Sequence, residues 1–190
     1  ALGPPEAITS AAAPLATPAT GGGGWLGCLE VAEDCVVSCR RLRLGMLAWE
    51  TPFVGELAEA LQRLGHEVHV FARSGSSQAS ERSVAGVVRH EVACAARPDF
   101  VSQVQAFCTA LVAAVAECER GGAFDVLHGH DWLVGPAVAA LKRTSGGTRH
   151  VAFSLHSTET GRSGSAGGGG GGDQSSRIRA IEAEACRAAN

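Results

Sequence analysis

The chain has 190 residues, 45% of them hydrophobic, and a formal net charge of −3. That length suits one ordinary domain with a real core, and so mild a charge gives no electrostatic case for nucleic acid or an anionic membrane surface as partner. No uninterrupted apolar run approaches the roughly 20 residues of a membrane helix, so a soluble protein without a membrane span is expected.

Residues 1–41 are set apart as low-complexity. Ala, Pro, Thr and Gly dominate the first 24 residues, which end in GGGG. Such a composition cannot bury a core and is expected to be disordered. It lacks the arginines of a typical transit peptide, and both cytoplasm and plastid stay open as compartments. The seven cysteines (28, 35, 39, 94, 108, 118 and 186) are odd in number, scattered, and form no CxxC. They read as small buried residues in a reducing compartment, not as a disulfide scaffold or zinc ribbon.

From Leu42 onward the pattern alternates. LRLGMLA (Leu42–Ala48) reads as a buried strand. GELAEALQRLG (Gly55–Gly65) puts Leu57, Ala58, Leu61 and Leu64 on one helical face, with Gly65 as C-cap. His66–Ala72 and Val84–Ala95 read as the second and third strands. Asp99 is placed to cap a long helix over Phe100–Glu119, closed by Gly121 and Gly122. FDVLHGH (Phe124–His130) is a fourth strand, and Leu133–Lys142 a helix with Pro136 in its first turn. Arg149–Ser157 is the fifth strand. Ser163–Gly172 is a glycine-rich surface insert, and Ser175 or Ser176 is placed to cap a last helix over Ile178–Ala189.

Strands alternating with helices imply an α/β fold: a Rossmann-like parallel sheet with helices on both faces. Ligands of such sheets bind beyond the carboxyl ends of the strands. Three polar clusters fall there: Trp49, Glu50 and Thr51; His128, His130 and Asp131; His156, Ser157, Thr158 and Glu159. His66 and His69 begin strand two, so they are assigned to the opposite edge as structural residues. Glu50 reads equally as a loop carboxylate or an acceptor contact, Trp49 and Trp132 as packing beside a cleft, and Glu182 and Glu184 as a solvated helix face. His128, His130 and Asp131 with His156 would also suit a metal hydrolase, but no metal site is expected.

LGMLAWETP, ELAEALQRLGHEVHVFAR, FDVLHGHDWLVGPAVAALKR, FSLHSTETGRSG and SSRIRAIEAEACRAAN, in that order, resemble the N-terminal domain of family 4 glycosyltransferases and their starch and glycogen synthase relatives. The resemblance covers residues 42–190. It implies the acceptor-side half of a GT-B fold, in which two Rossmann-like domains face each other across a cleft and the second binds most of the nucleotide sugar. It implies transfer of a hexose, expected to be glucose, from a nucleotide diphosphate sugar to an acceptor hydroxyl such as a glucan, with retention and without a cofactor. Asp131 would orient sugar hydroxyls, and His156 would lie against the transferred sugar as the second catalytic residue. Glu159 and Arg162 would shape the same loop and His130 would support Asp131; with Glu50 and Gly55 they make up the substrate-binding set. The chain is expected to be a fragment that needs a C-terminal donor domain for activity.

Two departures from the family pattern stand out. The Gly-Gly loop whose amides approach donor phosphates is shortened to TPFVGELAEAL, which keeps only Gly55. The tyrosine of the HSTEYGR block is Thr160, and the chain has no tyrosine. A non-catalytic carbohydrate- or protein-binding remnant is the alternative these departures leave open.

Overall fold

The structure, a computed structural model, describes residues 40–50, 52–163 and 173–189. The low-complexity segment falls almost wholly outside the described residues, as do Cys28, Cys35 and Cys39 and all of the glycine-rich insert except Ser163. The described elements are β1 (Arg43–Ala48), α1 (Pro52–Arg63), β2 (Glu67–Arg73), β3 (Ser80–Val84), β4 (Val87–Val92), α2 (Phe100–Cys118), β5 (Val126–His130), α3 (Gly135–Thr144), β6 (Val151–Ser154), α4 (Glu159–Ser163) and α5 (Asp173–Ala188). Short 3-10 turns follow α2 and precede α3.

The six strands form one sheet in the order β3-β4-β2-β1-β5-β6, with β3 antiparallel and the rest parallel. Strand alternation divides the core into two layers. Met46, Ala48, Val68, Val70 and Ala72 meet Val54 and Ala58 of α1 on one face. Leu47, Phe71 and Leu127 meet Val104, Phe107 and Leu111 of α2 and Val138 and Leu141 of α3 on the other. Each of these large side chains contributes about 1.5–3 kcal/mol by leaving water.

Glycine permits one close approach. A Cβ on Gly129 would stand 2.4 Å from Cγ2 of Val138 and 3.1 Å from the Phe153 ring, so only glycine lets α3 lie this close to β5.

Several expectations need correction. The third strand begins at Val87, because Val84 ends a separate edge strand and Ala85 and Gly86 form a turn with φ of 50° and 78°. Positive φ at both central residues matches the tight hairpin turns favoured by strand twist. The apolar run VAGVV conceals this turn. The polar strand SERSV is fully exposed, and Glu81 and Arg82 guard the sheet edge. α1 starts three residues before Gly55, so the expected first residue lies inside the helix. Gly65, at φ 93°, ends that helix as expected. α5 starts at Asp173, so Ser175 is inside it and donates to Glu159 instead of capping. α4 was not expected.

α2 with its 3-10 turn, Phe100–Gly121, is long and apolar enough by length and composition to cross a membrane. Ser102, Gln103, Gln105, Thr109 and Glu117 interrupt its apolar run. Val101, Val104, Phe107, Cys108, Leu111 and Val115 are buried in the core, which accounts for the apolarity of that face.

Candidate functional site

The strand order reverses between β1 and β5, and the connections after them lead to α1 on one face and α3 on the other. A cleft of about 500 Å³ opens at this point, lined by Trp49, Phe53, Phe100, His130, Asp131 and His156 among others. They come from the ends of five elements. Trp49 follows β1, Phe53 lies in the first turn of α1, Phe100 starts α2, His130 ends β5, Asp131 follows it, and His156 lies just beyond β6.

Two aromatic walls form. Trp49 packs edge-on to Phe100 at 5.7 Å and to Phe107 at 5.2 Å. On the other side Phe53 packs edge-on to His156 at 5.1 Å, and the His156 ring stacks parallel to His130 at 5.6 Å. Phe53 is 59% and Phe100 48% exposed, so both apolar rings face the opening instead of the core.

Asp131 lines the same cleft with φ 68° and ψ 164°, a conformation that costs a non-glycine residue about 1–3 kcal/mol. Its neighbours hold it there. Its N–H donates to the Ser154 carbonyl at 2.8 Å, and its Oδ1 accepts from the Trp132 N–H at 2.9 Å to start the turn into α3. The strain fixes a carboxylate at the cleft.

His130 is 3% exposed and its Nε2 is buried without a hydrogen-bond partner, while its Nδ1 is 3.4 Å from Nε2 of His156. Burial, then the His128 and His156 rings, push its pKa down to about 3. The ring is therefore neutral near pH 7 and serves as a hydrogen-bonding group, not a charge. His128 is half-buried on the sheet and paired with Ser154 Oγ at 2.9 Å, as its strand position implied.

The remaining candidates separate into two groups. Glu50 is exposed and lines the cleft. Glu159 and Arg162 do not line it. Arg162 reaches the Ser157 carbonyl at 2.9 Å, Glu159 at 3.2 Å and Glu182 at 3.3 Å. The Ser175 hydroxyl and the Arg162 guanidinium hold the Glu159 carboxyl below its ordinary range. This network braces the loop behind His156. Glu182 belongs to it, buried and accepting from the Glu159 N–H at 2.7 Å, so it is not the solvated residue expected; α5 turns it inward onto α4. Glu184 is exposed and pairs with Arg143. Gly55 is also away from the cleft, buried in α1 where a Cβ would stand 3.0 Å from the Arg89 guanidinium.

Phe53 and Phe100 were missed as site residues. Their signal was an aromatic residue in the first turn of a helix that follows a strand end. Among the described residues, no metal-ligand set forms from FDVLHGHDW and His156. The histidines, cysteines and acids whose donor atoms converge within 4.8 Å are His69, His90 and Cys118.

Residues 51–190 match the Glycosyl transferase 4-like domain family. The chain belongs to this family. A D-inositol 3-phosphate glycosyltransferase of Frankia alni is 36% identical over 100 residues, covering 50% of this chain and 25% of that one. The sucrose-phosphate synthase of Thermosynechococcus elongatus superimposes with a TM-score of 0.59 at 13% identity, covering 76% of this chain and 40% of that one. The chain thus spans 25% of the length of the first protein and 40% of the second. Its α/β architecture matches the N-terminal part of GT-B synthases.

Proposed function

We propose that this domain is the acceptor-side half of a retaining hexosyltransferase, which moves a hexose, expected to be glucose, from a nucleotide diphosphate sugar to an acceptor hydroxyl of a glucan. The carrying observation is the convergence of Asp131, His130 and His156 with the rings of Trp49, Phe53 and Phe100 in one cleft at the strand-order switch point. Apolar rings suit the C–H faces of a sugar, and a carboxylate with two imidazoles suits its hydroxyls. In the reaction the acceptor oxygen bonds to the anomeric carbon as its bond to the diphosphate breaks, and the acceptor proton leaves with the diphosphate. Asp131 orients hydroxyls, and His156 hydrogen-bonds the sugar while positive charge develops at the anomeric centre. A second domain carrying the nucleotide faces this cleft.

The test is an assay of nucleotide diphosphate release by the domain joined to a donor domain. ADP-glucose and UDP-glucose serve as donors, and maltooligosaccharides and D-inositol 3-phosphate as acceptors. Turnover that depends on Asp131 and His156 supports the reading. No turnover with any pair, or turnover indifferent to both residues, overturns it.

A further inference from the structure

A second cluster lies away from the cleft, at the far end of α2 from Phe100. Nδ1 of His69 in β2 is 2.9 Å from Nε2 of His90 in β4. Sγ of Cys118, the last residue of α2, is 3.5 Å from the first nitrogen and 3.9 Å from the second. Three atoms so spaced lie on a circle of radius about 2 Å, so an ion near its centre, set slightly away from the sulfur, would meet all three close to ordinary zinc–nitrogen and zinc–sulfur distances.

The outer nitrogens fix the state of the rings. Nε2 of His69 is 3.1 Å from Glu67 Oε1, and Nδ1 of His90 is 3.0 Å from Glu81 Oε2. A carboxylate accepts, so each outer nitrogen carries the proton. In neutral rings the two inner nitrogens then point bare lone pairs at each other across 2.9 Å. Such a contact is repulsive unless a cation lies between them. Carboxylate–histidine pairs of this kind orient and strengthen metal-binding imidazoles.

We propose that His69, His90 and Cys118 form a zinc site that ties β2, β4 and the end of α2 together. The donor set of two imidazoles and one thiolate suits zinc. Arg43 lies within 3.4 Å of the Cys118 sulfur and bonds Glu67 at 2.8 Å. With zinc bound, the charges of the ion, the thiolate, Arg43, Glu67 and Glu81 cancel. Zinc uptake displaces the thiol proton of Cys118 to solvent. His90 and Cys118 also border a cavity of about 520 Å³, which gives an ion a path in and a water room to complete its coordination.

The test loads the metal-stripped full chain with Zn²⁺ or Co²⁺. We expect one equivalent bound with a thiolate-to-cobalt charge-transfer band, and a melting temperature raised by zinc. Cys28, Cys35 and Cys39 also offer thiols, so dependence on Cys118 decides. C118S is expected to lose the band and the thermal shift, and H90Q to weaken zinc binding at least about tenfold. Should either variant fold poorly, X-ray absorption on the zinc-loaded wild type reads the ligands directly, with two imidazoles and one sulfur expected. No zinc bound at micromolar concentration, a band that survives C118S, or a sulfur-rich coordination shell overturns the proposal. So does nitrogen NMR showing His69 and His90 sharing one proton in the presence of zinc.

Discussion

Among the described residues, two imidazole pairs bring ring nitrogens within 3.4 Å of each other, and their surroundings make them different. His130 and His156 stand at the carboxyl ends of the strands, stacked, beside a strained aspartate and two aromatic walls. His69 and His90 stand within β2 and β4, also stacked, each backed by a glutamate and facing a thiol. The first pair opens to a cleft that suits sugar, and the second is wired to hold a cation. Residue type alone would assign both pairs the same chemistry. The partner of each outer nitrogen separates them.

The largest expected effect follows directly. D131N or H156A should lower kcat/KM of the joined enzyme by about 100-fold or more, because each removes a group aimed at the reacting sugar. H90Q should leave the same quantity unchanged. If H90Q lowered transfer as much as H156A, the separation of the two pairs would be wrong. E182A tests how the cleft pair is held. It removes a buried acceptor from the Glu159 N–H and from Arg162, at an expected cost of about 1–3 kcal/mol read by urea unfolding. The exposed E184A should cost less than about 1 kcal/mol. Equal costs would place Glu182 back on the surface.

Acid should discriminate further. His130 is held at about 3 in the folded protein against an ordinary 6.5. Between those values the unfolded chain binds a proton that the folded chain does not. Stability from this residue is therefore complete above about pH 6.5 and falls as the pH drops toward 3, by up to about 1.4 kcal/mol per pH unit. Burial also depresses His128 and His90, which add to the wild-type slope. H130Q should remove its own share, seen as a flatter plot of unfolding free energy against pH. An unchanged slope would mean that His130 is not held neutral.

Much of this was legible in the sequence, for identifiable reasons. Alternating strands and helices of ordinary length gave the parallel sheet, and the rule for its carboxyl ends brought Asp131, His130 and His156 to one place. What escaped depended on three-dimensional partners. A two-residue turn hid inside VAGVV because its apolar residues mimic a strand. Glu182 looked solvated because helical spacing does not reveal which neighbour folds over it. His69, His90 and Cys118 lie far apart in the chain and share no motif spacing; only strand register and the end of α2 bring them together. Gly129 was placed in its strand, but HGH alone does not show that α3 touches the sheet there.

The smallest effect probes the aspartate that distinguishes the cleft pair. At φ 68° and ψ 164° Asp131 occupies backbone space that only glycine enters freely. D131A would lose the hydrogen bond to Trp132 and keep the strain, whereas D131G would lose the bond and release it. D131G should therefore be more stable than D131A by about 1 kcal/mol, although glycine ordinarily costs more to order. Both should lose transfer to the same degree, because both lack the carboxylate. That pattern would mean that the fold bears strain at Asp131 for the sake of where its side chain points. A D131A at least as stable as D131G would remove strain from the account of the cleft.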